Sequence, residues 1–281
     1  MGAKKLISLA WYFGKLRLGV ARVLLGIGIP LRVTTYIDRY QIKFLTTSAL
    51  EYSLRAQKSY SRERVTMNWL RNIVDSGDIV YDVGANVGAY SLYAGKKLGA
   101  SAGRVYAFEP AFFNFSALCT NIEANSLNEI VVPFPVAFGD GTRPDKLFLS
   151  STISGSALHA VGRKESDGGP FTPRFIQGIF SLTLDKFCSF KNVMFPNHLK
   201  IDVDGTEGEI VRGMSLTMND PRLKSIMIEI NSDNGSESVE KLICDNGFEL
   251  VDEEKWEGKN SYNKLNQLIK GLNFFVVYSY E

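Results

Sequence analysis

Apolar residues four apart open the regular part of the chain. Val65, Trp69 and Ile73 share one face of a helix. A short apolar run, Asp78 to Val83, predicts a buried strand that ends in a Gly-rich turn. A helix over residues 89–98 and a strand over Arg104 to Phe108 follow. Phe112, Phe115, Leu118 and Ile122 give the next helix, and Ile130 to Phe138 reads as a third strand. Pro133 and Pro135 place that strand near a sheet edge, because proline cannot donate to a ladder. Further on, Leu199 to Val203 and Ser225 to Ile230 read as strands. Ile210, Val211 and Met214 suit one helix, and Val239, Leu242 and Ile243 another. Two late strands, Phe248 to Val251 and Phe274 to Tyr278, lack the βαβ rhythm.

Strands alternating with helices imply a doubly wound α/β fold with a mostly parallel, seven-stranded sheet covered on both faces. The last two strands are expected as an antiparallel pair at one edge. Ligands in such sheets bind beyond the carboxyl ends of the strands, so the informative residues should follow strands.

Two regions break the rhythm. Residues 140–197 are too long for an ordinary connection and are rich in Gly, Ser and Pro from Ser150 to Pro173. They predict a lid or insertion, within which Leu182 to Phe187 starts a helix. Residues 1–60 read as a helical extension ahead of a main domain over 61–281. Its first 31 residues are apolar but interrupted by Lys15, Arg17 and Arg22. Uncharged stretches there fall short of the roughly 20 residues a membrane-spanning helix needs. No small-residue cleavage site follows, and Leu6 stands where myristoylation wants Ser or Thr. On a helical wheel Lys4, Ser8, Lys15, Gly19 and Arg22 oppose Leu6, Leu9, Phe13, Leu16, Val20 and Leu24. Such a basic amphipathic helix either lies in a membrane interface or packs on the domain or on a second copy.

Composition narrows the function classes. Apolar residues make up 45% of 281, enough for a sizeable core. Lys plus Arg is 32 against 30 acids, so no basic surplus exists to follow a phosphate backbone, and a nucleic-acid partner is not expected. Cys119, Cys188 and Cys244 form no CxxC pair, and only two histidines are present. A zinc site or disulfide framework is not expected, which suits a reducing cytoplasm.

The first strand ends in Asp82-Val-Gly84-Ala-Asn86-Val-Gly88. Gly84 lets a ligand approach the backbone, and Gly88 opens the next helix. The dinucleotide fingerprint puts its second glycine two residues after the first, which this turn does not. An acid ahead of the loop would repel a pyrophosphate. It suits the amino acid part and sulfonium of S-adenosyl-L-methionine (SAM). Glu109, 21 residues beyond Gly88, ends the second strand and can accept from ribose hydroxyls. Pro110 holds it extended. Asp140, after the third strand, can accept from the adenine amino group, with Phe138 flanking the ring.

Three runs resemble the FkbM family of methyltransferases: Asp82 to Gly88, Val105-Tyr-Ala-Phe-Glu-Pro110 and Leu199-Lys-Ile-Asp-Val-Asp-Gly205. Leu182-Thr-Leu-Asp185 and Ile228-Glu-Ile230 are similar to its pattern too. The resemblance covers roughly Arg62 to Tyr280. It implies a class I, Rossmann-like, SAM-dependent enzyme that methylates hydroxyl groups of sugars or macrolide-type products. The family usually has Glu where this chain has Asp204, and Ala where it has Thr206.

Methyl transfer to an alcohol needs the acceptor about 3 Å from the methyl group, and a base. Asp202 ends the fourth strand, where class I enzymes often meet the acceptor. Asp204, Glu207 and Glu229 can lie nearby, raising one another's pKa or holding a divalent cation. Glu207 and Glu209 equally suit a helix N-terminus. His159, in the insertion, is a rival base; His198 precedes its strand and reads as structural. The expected activity is O-methylation of a small-molecule or glycan acceptor. The alternatives are an N-methyltransferase acting on an amine and a SAM-binding protein without turnover. The expected location is cytoplasmic, with peripheral contact at the inner membrane surface through the N-terminal helix.

Overall fold

The computed structural model describes residues 18–166, 169–231, 236–256 and 273–280. A seven-stranded sheet forms its centre. Its parallel members are β3 (Ile79–Val83), β4 (Arg104–Phe108), β5 (Val131–Phe134), β8 (His198–Ile201) and β9 (Ser225–Asn231). The order is β9-β8-β3-β4-β5, and β11 (Asn273–Tyr280) and β10 (Phe248–Trp256) extend it antiparallel beyond β9. The late strands thus form the expected antiparallel edge. The order reverses between β3 and β8, which opens a crevice beyond their carboxyl ends.

Helices α1 (Arg64–Asn72), α2 (Ala89–Leu98) and α3 (Phe112–Ala124) lie in one half of the molecule. Helices α4 (Leu184–Cys188), α5 (Glu207–Arg212) and α6 (Ser236–Asp245) occupy the other. Strand alternation produces two cores. Val80, Val105, Ala107 and Val131 pack with Trp69, Leu92, Tyr93, Leu118 and Ile122. Tyr81, Phe108, Leu199 and Ile228 pack with Phe187, Ile210, Val211 and Val239. In the second core Tyr81 stacks on Tyr106 at 5.3 Å, and the Phe187 ring meets Phe108 edge-on at 5.0 Å.

The third strand is shorter than its apolar run. It stops at Phe134, before Pro135, and lies at the sheet edge as its prolines require. The next pair, Ala137–Phe138, instead joins a second sheet with β6 (Arg143–Leu149), β7 (Phe175–Leu182) and Ala160–Val161. The 140–197 insertion therefore builds a small sheet and carries residues 150–159 across the main one. Thr183 caps α4 by accepting from the Lys186 amide at 3.1 Å.

Residues 31–46 depart from the helical expectation. Residues 18–26 are helical, but β1 (Leu31–Ile37) and β2 (Tyr40–Thr46) form a hairpin. Its two-residue turn places Asp38 in the left-handed region, and both strands alternate inward and outward positions. Ile42, Phe44, Ala56 and Tyr60 are buried in the same core as α2 and α3. Asn125 and Asn121 each accept a β2 amide, from Lys43 and Leu45, at 2.9 and 2.8 Å. Residues from Ile42 to Tyr60 thus share a core with α2 and α3. The 18–26 helix buries Ala21 and Leu25 and exposes Val20, so Val20 does not mark its packed face. Lys4, Leu6, Ser8, Leu9, Phe13, Lys15, Leu16 and Arg17 lie outside the described residues. Among the described residues no helix is long and apolar enough to cross a membrane.

Candidate active site

The switch point is built from the tips of β3, β4, β8 and β9. Asp82 is buried near the end of β3. Its Oδ2 accepts from the Ser91 hydroxyl at 2.5 Å, and its Oδ1 has no hydrogen-bond partner. Lys200 is the register neighbour of Asp82 on β8, and its ammonium lies 3.4 Å from that Oδ1 and 3.0 Å from Asp202 Oδ2. Burial would lower the Lys200 pKa, but Asp202, Asp82 and Glu63 outweigh it and hold the ammonium above the usual lysine range. Lys200 was missed in the sequence. Its signal was a charge inside the fully buried run His198-Leu-Lys-Ile201, which demands a counter-charge.

The turn after β3 is tighter than ligand access alone requires. Gly84 has φ +82°, and a Cβ there would overlap the carbonyl oxygen of Asp202. Its glycine is needed where the turn crosses the end of β8. Asn86 takes φ +52°, and Gly88 precedes α2 at φ +92°. Glu109, buried beyond β4, accepts from the amides of Asn86 at 2.8 Å and Ala111 at 2.9 Å. Burial raises its carboxyl to about 7, against the pull of those two amides and of Asn114. Glu109 thus ties the cofactor turn to its own strand tip, and each oxygen keeps a lone pair for a further donor. An acid oxygen in β3 that meets the Lys200 ammonium at 3.4 Å but makes no hydrogen bond, and a partnered acid after β4 with lone pairs to spare, fit a sulfonium-bearing amino acid and a ribose diol. Asp82, Gly84, Asn86, Gly88 and Glu109 would hold SAM, which supplies an electrophilic methyl group when bound.

Asp140 falls elsewhere. The break at Pro135 carries it into the second sheet, where it is exposed and accepts from Arg143 at 3.2 Å. Phe138 is buried against Phe108 and Phe187. Neither stands at the β5 tip where an adenine contact was expected.

Asp202, expected beside the acceptor, lies just beyond β8 at the crevice. Burial would raise its pKa, but Lys200 and a hydrogen bond with Glu229 hold it below the usual carboxylate range. Burial, Asp202, Asp204 and Glu207 push the Glu229 carboxyl well above its ordinary value, and it shares a hydrogen bond with Asp202. Glu207 Oε1 accepts from the amides of Val203 at 3.1 Å and Gly205 at 3.3 Å. Asp204 sits at φ +63° and accepts from the Leu158 amide at 2.7 Å. These carboxylates are committed to an ammonium, to one another and to backbone donors. Among the described residues no group of three or more His, Cys, Asp or Glu side chains is arranged to hold a metal ion.

Residues 150–159 close over the crevice. Asn86 and Asn114 both donate to the Ser156 carbonyl, at 2.9 and 3.0 Å, and Asn114 accepts from the Gly155 amide at 2.9 Å. Ser154 donates to Glu51 at 2.6 Å, and Arg55 to the Gly155 carbonyl at 3.0 Å. His159 Nδ1 accepts from the Ser150 amide at 3.3 Å, which puts the ring proton on Nε2. Burial and Arg55 lower its pKa to about 4. This tautomer can donate a hydrogen bond but is a poor base. His198 is structural: its Nε2 meets Asp78 at 2.9 Å and its Nδ1 meets Ser225 at 2.7 Å, at the opposite end of the sheet.

Strand order, switch-point turn and strand-tip acids define a class I, Rossmann-like, SAM-dependent methyltransferase. The methyltransferase FkbM domain matches residues 82–256, and the chain belongs to that family. It is 26% identical over 183 residues to the hexuronic acid methyltransferase AglP of Haloferax volcanii, covering 65% of this chain and 68% of that protein. It is 27% identical over 198 residues to the 31-O-demethyl-FK506 methyltransferase FkbM of Streptomyces tacrolimicus, covering 63% and 75%. Among solved structures it is similar to methyltransferase FkbM from Methylobacillus flagellatus KT, with TM-score 0.48, 12% identity, and 77% and 49% of the two chains covered.

Proposed function

We propose that the chain transfers a methyl group from SAM to an oxygen of a sugar or hydroxylated natural product. The observation that carries this reading is the acid cluster around Asp202 at the β3–β8 crevice, beside the Asp82–Gly88 turn. The relatives' names, for a hexuronic acid and for a demethylated FK506 oxygen, support an oxygen acceptor. An alcohol is a weak nucleophile and needs a base beside it, which an acid-rich pocket provides. The same pocket would hold an amine as its ammonium, which has no lone pair to attack with. The test is methyl transfer from methyl-labelled SAM to methyl glycosides of neutral sugars and of uronic acids, with small amines in parallel. Calorimetry of SAM binding runs beside it. Methylated glycosides support the reading. Methylated amines alone replace it with N-methylation, and SAM binding without any transfer leaves a binding protein.

A further inference from the structure

The helix over residues 18–26 is apolar on two sides. Ala21 and Leu25 are buried, while Val20, Val23 and Ile27, three and four residues apart on the outer side, are 52%, 65% and 68% exposed. Gly28 ends the helix at φ +82°. Its amide donates to the Leu25 carbonyl at 3.1 Å, and the Ile29 amide to that of Leu24 at 2.9 Å. An apolar residue at the Ile29 place in such a cap commonly packs back on the helix. Ile29 is 45% exposed instead. The helix leads into β1 beside the residues that cover the crevice. The Thr46 hydroxyl donates to the Leu31 carbonyl at 3.1 Å, so the start of β1 and the end of β2 lie together. Two residues on, the Ser48 hydroxyl donates to the Ser154 carbonyl at 2.8 Å, and the Ser154 hydroxyl donates to the Phe113 carbonyl at 3.3 Å. Around that junction Ile153, Phe112 and Phe175 are exposed, and the Phe113 ring meets those of Phe112 and Phe175 at 5.8 and 6.4 Å.

Charge decides what can cover this face. Residues 1–37 hold six of the 32 Lys and Arg residues and none of the 30 acids, so in the rest of the chain acids outnumber the remaining 26 basic residues. Arg22 and Arg32 are exposed next to the apolar side chains. A second copy docking through the same face would set two basic sets against each other with no acid to pair them. Anionic headgroups neutralise that charge, and the acyl boundary beneath them takes the aliphatic side chains. Trp11 and Tyr12 add side chains suited to headgroup depth. We propose that the outer side of the 18–26 helix, with Ile29, Arg22 and Arg32, docks the protein on an anionic lipid bilayer. The junction through Ser48 and Ser154 then holds the covered end of the crevice close to the lipid surface. Docking of this kind is independent of the acceptor that is methylated.

The test is co-sedimentation of the full-length protein with vesicles of phosphatidylcholine alone and of phosphatidylcholine with about 30% phosphatidylglycerol. The protein should pellet with the anionic vesicles at low salt and bind at least about tenfold more weakly near 0.5 M salt. Arg22→Gln with Arg32→Gln should weaken binding roughly 10–30-fold, about fivefold for each charge withdrawn from the surface. Val23→Ser with Ile27→Ser keeps the charge and should weaken binding at least about tenfold. Leu216→Ser is the control: Leu216 is 75% exposed beside α4 in the other half of the molecule, and its loss should change nothing. On the anionic vesicles, amide exchange should slow in residues 18–32 and 150–159 and not around Leu216. Protein that stays in the supernatant with anionic vesicles at low salt overturns the proposal, and this comparison needs no variant to fold. Sedimentation velocity without lipid then identifies the true cover. A dimer broken by Val23→Ser with Ile27→Ser is a second copy, and a monomer points to the chain's own residues 1–17. Equal pelleting with both vesicle types, or binding that neither pair of substitutions weakens, overturns the proposal as well.

Discussion

Gly84 and Asp202 meet backbone to backbone: a Cβ on the glycine would occupy the space of the aspartate carbonyl oxygen. The Asp82–Gly88 turn and the end of β8 therefore close against each other without a side chain between them. Gly84→Ala should destabilise the protein by at least about 3 kcal/mol, combining a left-handed backbone penalty with an overlap that backbone cannot relieve. Gly88→Ala should cost less, about 1–2 kcal/mol, because its Cβ would press on the movable Leu118 side chain. Thermal or urea melts of both variants check this order. Equal stability of Gly84→Ala and wild type would mean that the turn does not close on Asp202.

Glu109 gives a pH dependence to cofactor binding. Its folded pKa is raised by burial to about 7, above its unfolded value. The sign is then fixed. Folding favours the protonated form, so the Glu109 contribution to stability is largest at low pH and falls as pH rises from the unfolded value to 7. Ribose hydroxyls donate best to the ionised form, so SAM should bind more tightly as pH rises through 7 and should release a proton on binding. Calorimetry in buffers of different ionisation heat measures that proton. Glu109→Gln should abolish the release and weaken SAM binding by roughly 1.5–3 kcal/mol, the worth of charge-assisted hydrogen bonds. Identical proton release in the variant would remove Glu109 from the ribose position.

Much of this site was readable along the chain. The Asp82–Gly88 turn and Glu109 announce themselves because a strand tip, a turn and a helix start are local events, and the edge position of β5 followed from its prolines. What the sequence hid came from across the fold. Lys200 looks like any strand lysine until its register with Asp82 is known. Glu51 and Arg55 follow a period-2 hairpin, Leu31–Thr46, in a stretch read from sequence as a helical extension. Asp140 was misplaced because the break at Pro135 sends the chain to a second sheet. Gly84 was read as room for a ligand, whereas its nearest obstacle is Asp202.

Residues 150–159 are tied down by Glu51, whose carboxylate accepts from the Thr47 amide, the Ser48 amide and the Ser154 hydroxyl. Ser154→Ala removes the one link of that set that reaches residues 150–159. Amide hydrogen exchange across 150–159 should quicken about 5–30-fold, as expected for losing about 1–2 kcal/mol of local stability. Global melting should barely change, because the hairpin keeps its own bonds. Exchange that quickens throughout the molecule instead would show that the segment is part of the core and not a lid.

Lys200→Met is the sharpest probe of the charge arrangement at the switch point. The variant keeps the side chain's length and apolar stem but leaves Asp82 and Asp202 buried near each other without a cation. Losing one partner of a buried pair costs about 3–5 kcal/mol, much more than a surface pair would. The two wild-type partners carry opposite linkage. Lys200 is held above its usual range, so its stabilisation is full below the unfolded lysine pKa and fades only at strongly alkaline pH. Asp202 is held below its usual range, so its stabilisation is present above the unfolded aspartate pKa and is lost as pH falls. In Lys200→Met both effects should disappear. With the cation gone, burial and the neighbouring carboxylates should push Asp202 upward, so the variant should gain more stability on mild acidification than the wild type, whose gain comes from acids already raised, such as Glu109. Urea midpoints of the two proteins from pH 5 to 8 read this directly. Parallel curves offset by less than about 1 kcal/mol would mean that Lys200 is not the counter-charge on which this site is built.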